Sequence, residues 1–383
     1  MKVLHFVQNF SQPTETFIKR YVQKSSQFAT TCVVAFNIIN ITDEIKELTV
    51  VELKDSIYTR KTIAGAARYI NEYISGTKKW HYQLQDIVND FKPDVVHCHF
   101  GMMGINWMGF EKKFNTQIPF ITSFYGYDAS SQPFVDSGYR RKLNELWRIG
   151  TAFFGEGPEL VNKLTKLGCP SAKCMVNPLL IPVDDYPCKV NYRQPGEPLR
   201  FLFIGRFMEK KGFHVFLTAI GMLKDKLPQF SIDVIGSGPY QSNYEEIINE
   251  YGLQKNVNWL GMKPHAEIIV TLKDYDFFFV HPSLTASDND SEGGAPTIII
   301  EAQAAGLPVI TSDHADIPYV MGYHEFLAKE NNVLSLVAAI QDIINSDDVE
   351  HYVKKGLDKI QYQHNLNLSD IYESNLKKVI NNN

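Results

Sequence analysis

Short runs of apolar residues alternate with helix-length segments through the first half of this chain. Period-two and continuous apolar runs predict strands at Val3–Val7, Thr31–Phe36, Asp94–His97, Pro119–Ser123 and Ala152–Phe154. Apolar residues at helical spacing predict helices at Thr14–Gln27, Ile63–Ile74, His81–Phe91 and Pro158–Leu167. Such alternation is typical of parallel strands joined by crossover helices.

A proline-rich stretch separates this pattern from a second one. Residues 177–198 contain five prolines and show no clear periodicity, which predicts an interdomain linker. Beyond it, strands are predicted at Arg200–Ile204, Phe230–Ile235, Phe277–Val280 and Leu307–Ile310. Helices are predicted at Phe213–Asp225, Tyr240–Tyr251, Gly294–Ala305 and over most of Val333–Ile380. Several strands are apolar throughout, as expected where helices cover both faces of a sheet.

The fold class is therefore α/β, with two doubly wound, Rossmann-like parallel-sheet domains. A chain of 383 residues is too long for one compact core, so two domains are expected, at 1–180 and 199–364. Ligands of such sheets lie beyond the carboxyl ends of the strands, which predicts a site in the cleft between the domains.

Charge and composition narrow the class of partner. The net charge of −5 argues against nucleic acid, and no apolar run is long enough to span a membrane. Residues 1–180 nevertheless hold 21 Lys and Arg against 16 Asp and Glu, so the first half is the basic one. Five cysteines without framework spacing fit a reducing compartment, and we expect a cytoplasmic protein.

Basic residues follow the first strand of the second domain. In the segment Gly205–Gly212, Arg206 and Lys211 flank a turn that leads into a helix. A guanidinium and an ammonium near a helix N-terminus form a good diphosphate site, because their charges add to the helix dipole. A solvated basic turn is an equally good interpretation of this segment taken alone.

Two more loops follow strands of the same domain. Gly236-Ser237-Gly238 is weak evidence alone, because glycines are common in plain turns. The loop around Met262 could either contact a nucleotide base or simply connect a strand to a helix. Both loops gain weight because they lie at the same sheet edge as Arg206.

The most informative stretch runs from His281 to Ile310. Two acids, Glu292 and Glu301, bracket the turn Gly293-Gly294-Ala295-Pro296-Thr297. The glycines allow a ligand to approach the backbone, and Pro296 suits the first helical position. Glu301 should lie one turn into the helix and accept hydrogen bonds from ribose hydroxyls. Two exposed acids favoured by the helix dipole are the alternative interpretation.

Possible metal ligands occur twice. Asp288 and Asp290 form an Asp-x-Asp pair, which we interpret as part of a solvated loop. His97 and His99 share one face of a strand, but no third ligand is nearby in sequence, so a polar role for His99 in the cleft is favoured over a metal site. We expect neither a metal nor another cofactor.

Three loops of the first half end strands on the cleft side. Ser11 to Phe17 leads from a strand into a helix, with Thr14 as the expected N-cap. His99 ends another strand, and Ser123 to Asp128 ends the next.

Taken together, these segments resemble the retaining glycosyltransferases of family 4, which have the two-domain fold called GT-B. The resemblance is to enzymes of colanic acid and exopolysaccharide biosynthesis, and it rests on SQPTETFI, HCHFG, SFYGYD, GRFMEKKG, GSGP and SEGGAPTIIIEAQAAGLPVI. Family members transfer a sugar from a nucleotide diphosphate to an acceptor hydroxyl with retained configuration.

The resemblance implies roles for individual residues. Arg206 and Lys211 would hold the diphosphate leaving group, Glu301 the ribose, and Glu292 the donor sugar. The donor side would also include Gly205, Gly236, Ser237, Gly238, Met262, Gly293, Gly294, Ala295, Pro296 and Thr297. His99 would line the acceptor side and count with Arg206, Lys211 and Glu292 among the catalytic residues. The acceptor side would also include Ser11, Thr14, Glu15, Tyr125 and Asp128. The final helix, at about 365–383, would pack back on the first domain.

Two departures from the family pattern bear on these roles. Eight residues rather than seven separate Glu292 from Glu301, which could shift Glu292. Tyr125 occupies a place where the family often has histidine, and a phenol cannot act as an imidazole would. Lacking an obvious carboxylate nucleophile, the chain would use a front-face displacement.

The leading interpretation is a metal-independent transferase that uses UDP- or GDP-sugars and a lipid-linked saccharide at the cytoplasmic membrane face. Contact with that membrane would involve Arg60, Lys61, Lys78, Lys79, Trp80, Arg140, Arg141 and Lys142. A soluble acceptor, a nucleotide-sugar epimerase and a non-catalytic nucleotide-sugar binder remain alternatives. A dinucleotide oxidoreductase is disfavoured, since no strand is followed by Gly-x-Gly-x-x-Gly.

Overall fold

Two parallel β-sheets form the framework of the protein. The computed structural model describes residues 1–12, 15–39, 48–53, 79–181, 183, 186, 198–274, 278–365 and 368–381. The part of the chain before the linker contributes a sheet of seven strands, and the part after it a sheet of six. Every pair of neighbouring strands is parallel. The predicted α/β architecture of two doubly wound sheets is confirmed.

The first sheet has the strand order β3-β2-β1-β4-β5-β6-β7. Its strands are β1 (Lys2–Phe10), β2 (Thr30–Ile38), β3 (Thr49–Glu52), β4 (Val95–His99), β5 (Phe120–Ser123), β6 (Ala152–Gly155) and β7 (Cys174–Val176). The helices between them are α1 (Thr16–Phe28), α2 (Lys79–Phe91), α3 (Gly101–Phe114), α4 (Gln132–Val135), α5 (Ser137–Ile149) and α6 (Pro158–Lys166). We call this unit the first lobe.

Both faces of the first sheet are buried. Neighbouring residues of a strand point to opposite sides, so one strand contributes side chains to both packed layers. Leu4 and Phe6 of β1 pack with Trp107 of α3 on one face. Val3 of the same strand packs on the other face with Tyr21 of α1. The apolar composition of these strands follows from this double coverage.

The second sheet has the strand order β10-β9-β8-β11-β12-β13. Its strands are β8 (Leu199–Ile204), β9 (Phe230–Ile235), β10 (Val257–Gly261), β11 (Phe278–His281), β12 (Val309–Ser312) and β13 (Leu327–Ala328). Its helices are α7 (Phe213–Leu223), α8 (Gln241–Tyr251), α9 (His265–Asp274), α10 (Thr297–Ala304), α11 (Ile317–Val320), α12 (Val333–Asn345) and α13 (Val349–Asn365). A single core joins these elements into the second lobe.

The last helix, α14 (Leu368–Asn381), returns to the first lobe. Its Tyr372 and Leu376 are buried beside Val3 and Tyr21. The Tyr372 hydroxyl also lies 2.7 Å from Nδ1 of His97 in β4. The chain therefore crosses between the lobes twice.

The predicted strands of both halves overlap strands of the sheets, but several helix starts differ. Helix α2 begins at Lys79 rather than His81, and α8 at Gln241 rather than Tyr240. Helix α1 begins at Thr16, with Glu15 in the capping position, and Thr14 lies outside the described residues. Helix α10 begins at Thr297 rather than Gly294. Pro296 precedes that helix with an extended ψ of 128°, so it is not the first helical residue. The predicted helix Ile63–Ile74 also lies outside the described residues.

Within the described residues, no helix is long and apolar enough to cross a membrane.

Candidate active site

The two lobes meet at the carboxyl ends of their strands, where a glycine turn of the second lobe touches a loop of the first. The turn Gly293–Pro296 is buried. A β-carbon on Gly293 would lie 2.2 Å from the backbone carbonyl of Tyr125, so a larger residue does not fit there. Across the same seam, Ser291 N–H donates to Ser130 Oγ at 3.3 Å. The sequence predicted that these glycines let a ligand approach the backbone, whereas the structure places first-lobe backbone against Gly293.

The loops after β8 and β9 pack together at the edge of the cleft. Phe207 N–H donates to the Ser237 carbonyl at 2.8 Å. Gly236 has a φ of 143°, and a β-carbon there would lie 1.9 Å from the Gly205 carbonyl oxygen. Only glycine combines this φ with this contact. Ser237 is exposed, as is Met262 in the neighbouring loop, so both can meet a ligand.

An ion pair joins two of the predicted catalytic residues. Lys211 Nζ lies 2.8 Å from Glu292 Oε1, and both side chains are largely buried. Burial raises the pKa of Glu292, but Lys211 and Lys210 outweigh it and lower that pKa to about 2. Burial lowers the pKa of Lys211, and the Glu292 carboxylate opposes that change. The extra residue before Glu301 therefore leaves Glu292 beside the predicted phosphate-binding lysine.

Arg206 and Glu301 both interact with residues at the start of α1 in the first lobe. Burial raises the pKa of Glu15, which precedes α1, above its ordinary value, and the Arg206 charge partly opposes this change. Five residues further along, Arg20 Nη2 lies 3.3 Å from Glu301 Oε1. Five residues correspond to about 7.5 Å along a helix axis. The residues proposed to bind the diphosphate and the ribose, Arg206 and Glu301, thus lie on one cleft lined by α1.

Glu301 is deeply buried, and its environment favours the charged form. His265, at the start of α9, places Nε2 3.1 Å from the same Oε1 atom. Burial raises the pKa of Glu301, but the His265 hydrogen bond and the Arg20 charge outweigh it, so the pKa is below its ordinary value. Arg20 was not singled out from the sequence, and His265 was included only as the end of the loop around Met262. A basic residue of one lobe cannot be matched to an acid 281 positions away by any local pattern.

The Asp-x-Asp segment is not simply a solvated loop, and that interpretation is corrected. Asp288 is exposed, but Asp290 is buried and lies 3.0 Å from Lys210 Nζ. Asp290 N–H also donates to Asp288 Oδ1 at 2.9 Å. The Asp290 carboxylate is therefore occupied by a lysine of the Gly205–Gly212 loop and supports that loop.

Three buried histidines lie together beneath the acceptor side of the cleft. His5 of β1 places Nδ1 3.0 Å from His99 Nε2, which supplies the third imidazole that sequence spacing did not reveal. His97 bonds through its two nitrogens to Ser123 and Tyr372, each at 2.7 Å. Burial lowers the pKa of His99 well below its usual value, and His97 and His5 add to that effect.

Each described nitrogen of the three rings thus has a hydrogen-bond partner. His99 Nδ1 lies 2.7 Å from the Tyr125 hydroxyl, and His5 Nε2 lies 2.9 Å from Ser25 Oγ. Binding a cation would require breaking bonds in this network. The donor set suits Zn²⁺ in type, but its nitrogens are committed to hydrogen bonds.

The acceptor-side residues divide into two groups. Tyr125 is half-buried beneath Gly293, and Glu15 lies near Arg206. Asp128 is buried, and its carboxylate accepts backbone N–H bonds from Gly101, Tyr125 and Gly126 at 2.9–3.1 Å. Asp128 therefore supports the loop rather than presenting its carboxylate to a ligand. Ser11 adopts a positive φ of 61° just before α1.

Glu156 is a cleft residue that was not selected from the sequence. It follows β6 and is half-buried, and a β-carbon on Gly294 would lie 2.2 Å from its Oε2. Burial raises its pKa well above the ordinary value, with Asp316 and Glu292 adding to the effect. Gly-Glu-Gly directly after an apolar strand was the available signal.

A known family model matches most of the second lobe. Residues 189–359 match the model described as glycosyl transferases group 1. WcaL of Salmonella typhimurium, assigned as a colanic acid biosynthesis glycosyltransferase, is 29% identical over 72% of this chain and 68% of its own length. The amylovoran biosynthesis glycosyltransferase AmsK of Erwinia amylovora is 29% identical over 73% of this chain and 68% of its own length.

Solved structures agree on the fold. Anabaena HepE, crystallised with UDP and glucose, superposes with a TM-score of 0.75 at 14% identity, covering 99% of this chain and 100% of HepE. Sucrose-phosphate synthase of Thermosynechococcus elongatus gives 0.74 at 15% identity, covering 99% of this chain and 98% of that one. The fold and cleft define a GT-B protein. The segment 189–359 carries a glycosyl transferases group 1 domain.

Proposed function

We propose that this protein is a retaining glycosyltransferase of family 4 that uses a UDP- or GDP-sugar. It transfers the sugar to a hydroxyl of a lipid-linked saccharide during exopolysaccharide biosynthesis. The convergence of Arg206, Lys211, Glu292 and Glu301 on one cleft beside α1 carries this proposal. The names of WcaL and AmsK support the exopolysaccharide context.

The chemistry follows from the charges. A departing nucleoside diphosphate develops negative charge, which Arg206 and Lys211 would neutralise. Lys211 is already desolvated by burial, so its charge acts in a low effective dielectric, where electrostatic stabilisation is strongest. Glu292 keeps Lys211 charged in this position and would orient hydroxyls of the donor sugar.

Retention of configuration would arise from front-face displacement. The acceptor hydroxyl attacks from the side on which the diphosphate leaves, and a phosphate oxygen takes the proton of that hydroxyl. Glu156 is one of the described cleft carboxyl groups that could compete as a nucleophile, alongside Glu292, which is held by Lys211. Burial, Asp316 and Glu292 raise the pKa of Glu156, which favours the neutral acid, and a neutral acid is a poor nucleophile. Trapping of a covalent sugar adduct on Glu156 would overturn this mechanism.

The acceptor would approach over the first lobe at a membrane surface. Phe134 and Val135 are 70% and 65% exposed, and Arg141 and Lys142 are exposed on the helix that follows. An apolar tip beside basic residues suits an anionic lipid surface. Trp80, which the sequence suggested for this contact, is instead buried against Phe6. Arg60, Lys61 and Lys78 lie outside the described residues.

A thermal-shift panel of UDP-, GDP- and ADP-sugars, with and without EDTA, tests the proposal. We expect one base class to raise the melting temperature, and the shift to survive EDTA because side chains supply the positive charge. A shift that EDTA abolishes would contradict metal independence. No shift with any donor would contradict the donor site itself.

Product analysis separates a transferase from the alternatives. An epimerase would convert the donor sugar without an acceptor, and a non-catalytic binder would shift in melting temperature but leave every donor intact. Transfer to membrane extracts containing lipid-linked saccharide, with the same anomeric configuration in donor and product, is the expected result.

A further inference from the structure

Arg20 is a first-lobe residue that reaches into the proposed donor site of the second lobe. It lies on the second turn of α1, and its side chain is 11% exposed. Nη2 lies 3.3 Å from Oε1 of Glu301, whose side chain is 3% exposed. Both charges are thus withdrawn from solvent, unlike those of an ordinary surface ion pair.

The contacts of Glu301 are concentrated on one oxygen. Arg20 Nη2 and His265 Nε2 both approach Oε1, at 3.3 and 3.1 Å. A carboxylate has about four acceptor positions, so Oε2 keeps the capacity to accept further hydrogen bonds. Two fixed donors on one oxygen also set the plane of the carboxylate. The direction in which Oε2 points is therefore determined partly by the first lobe.

Arg20 itself has an unused donor. Its Nη1 atom is buried and has no hydrogen-bond partner among the described residues. A buried guanidinium N–H without a partner is costly, and a polar ligand that binds beside Glu301 would satisfy it.

We propose that Arg20 is a positioning residue for ribose recognition. It fixes Glu301 so that Oε2 accepts the ribose hydroxyls of the donor, and recognition of the ribose thereby depends on the two lobes being together. This inference rests on the proposed function, because it takes the ligand of Glu301 to be a nucleoside diphosphate. If Arg20 had a purely structural role, it would hold the two lobes together without discriminating among nucleotides.

The test is a thermodynamic cycle that combines removal of the Arg20 side chain with removal of the ribose hydroxyls. Dissociation constants are measured by calorimetry for UDP and 2′,3′-dideoxy-UDP, with GDP and its dideoxy form in parallel. In the wild-type protein, loss of hydrogen bonds to a charged group should weaken binding of the dideoxy form by roughly tenfold or more. Arg20→Ala should weaken UDP or GDP by about the same factor and leave the dideoxy form nearly unchanged.

Two further variants keep the result interpretable. Arg20→Lys retains the charge without the planar fork, so it should restore part of the discrimination. Lys24→Ala removes a cation from the same helix, where Lys24 contacts only Gln27 in its described hydrogen bond, and should preserve the full wild-type discrimination. Circular dichroism and melting curves establish that each variant is folded.

The outcomes separate this inference from the proposed function. If Arg20→Ala weakens both forms equally, or neither, while Glu301→Gln abolishes discrimination, Arg20 is not a positioning residue and the donor site stands. If Glu301→Gln also leaves the dideoxy discrimination intact, both the inference and the ribose role of Glu301 fail.

Discussion

Lys211 Nζ and Glu292 Oε1 form an ion pair of 2.8 Å. This pair joins the first and the last of the second-lobe loops that the sequence predicted to be functional. The two residues are 81 positions apart, and each was assigned to the donor on separate grounds. Their contact means that phosphate binding and sugar orientation are electrostatically coupled. A change at either residue will alter the other.

Removing either of the two cationic side chains proposed to bind the diphosphate of the donor should reduce turnover severely. Arg206→Ala and Lys211→Ala are each expected to lower kcat by about 100-fold or more, because the departing diphosphate loses a fixed positive charge. Initial rates with the donor found by the thermal-shift panel provide the measurement. Arg200→Ala is the matched control, since Arg200 lies at the amino end of β8 and pairs with Asp233 away from the cleft. Near-normal rates in both cleft variants would refute the assignment.

The Lys211–Glu292 ion pair should make the free energy of unfolding depend on pH in the acid range. Glu292 has its pKa lowered from 4.5 to about 2, so the folded state binds fewer protons than the unfolded state in this range. Its contribution, about 3 kcal/mol at most, is fully present above pH 4.5 and is lost as pH falls towards 2. Unfolding free energies of the wild type and Glu292→Gln should therefore converge between pH 4.5 and 2. Parallel curves would contradict the depressed pKa. Glu330, also near pKa 2, is present in both proteins and cancels.

Glu156 should behave in the opposite way. Burial, Asp316 and Glu292 raise its pKa, so the folded state retains a proton that the unfolded state loses above about pH 4.5. Glu156→Gln removes this penalty, and its unfolding free energy should exceed that of the wild type at neutral pH but match it near pH 4. Because glutamine can replace a neutral carboxyl in hydrogen bonding, activity should stay within a few-fold of wild type. A loss of 100-fold or more would show that the ionised carboxylate is required.

Membrane contact should depend on the exposed tip of α4. Replacing Phe134 and Val135 together by serine should reduce co-sedimentation with phosphatidylglycerol vesicles several-fold, because about 25 cal/mol of transfer free energy is lost per Å² of apolar surface. Leu334→Ser, at a 67% exposed position of the second lobe, is the matched control and should bind like the wild type. Equal binding of all three proteins would contradict this surface.

Most of the framework could be predicted from the sequence, because double coverage makes the strands largely apolar. Ala152–Gly155, whose four residues are all buried, is an example. Edge strands were missed. Val257–Gly261 is mostly exposed, and Leu327–Ala328 has only two residues, so neither gives an apolar run. Helix starts were missed where caps are unconventional: Pro296 precedes α10 in extended conformation, and α1 has no side-chain cap.

The candidate site was predictable wherever one loop carries its own signal. Gly205–Gly212 and Glu292–Glu301 are such loops, because glycines, acids and basic residues follow strands directly. Partners from the other lobe were not predictable. Arg20 and Glu301 interact over 281 positions, and the buried Asp290 is paired with Lys210. Local composition describes a side chain as polar but does not reveal which charge it will face.

The final prediction concerns the chain of hydrogen bonds beneath Tyr125. Ser25 Oγ donates to the Val22 carbonyl at 2.9 Å, so it accepts from His5 Nε2. His5 Nδ1 then accepts from His99 Nε2, and His99 Nδ1 accepts from the Tyr125 hydroxyl. The lowered pKa of each of these two imidazoles keeps both rings neutral, as this arrangement requires.

Tyr125→Phe removes the donor at the end of this chain and leaves His99 Nδ1 buried without a partner. The unfolding free energy should fall by about 1–3 kcal/mol, the usual cost of an unsatisfied buried acceptor. Tyr127→Phe, on the same loop but 51% exposed, should change it by less than about 0.5 kcal/mol. Nitrogen-15 NMR of the histidines offers a second measurement, in which wild-type His99 should carry its proton on Nε2. A proton on Nδ1, or equal stability of the two variants, would show that Tyr125 does not donate to His99.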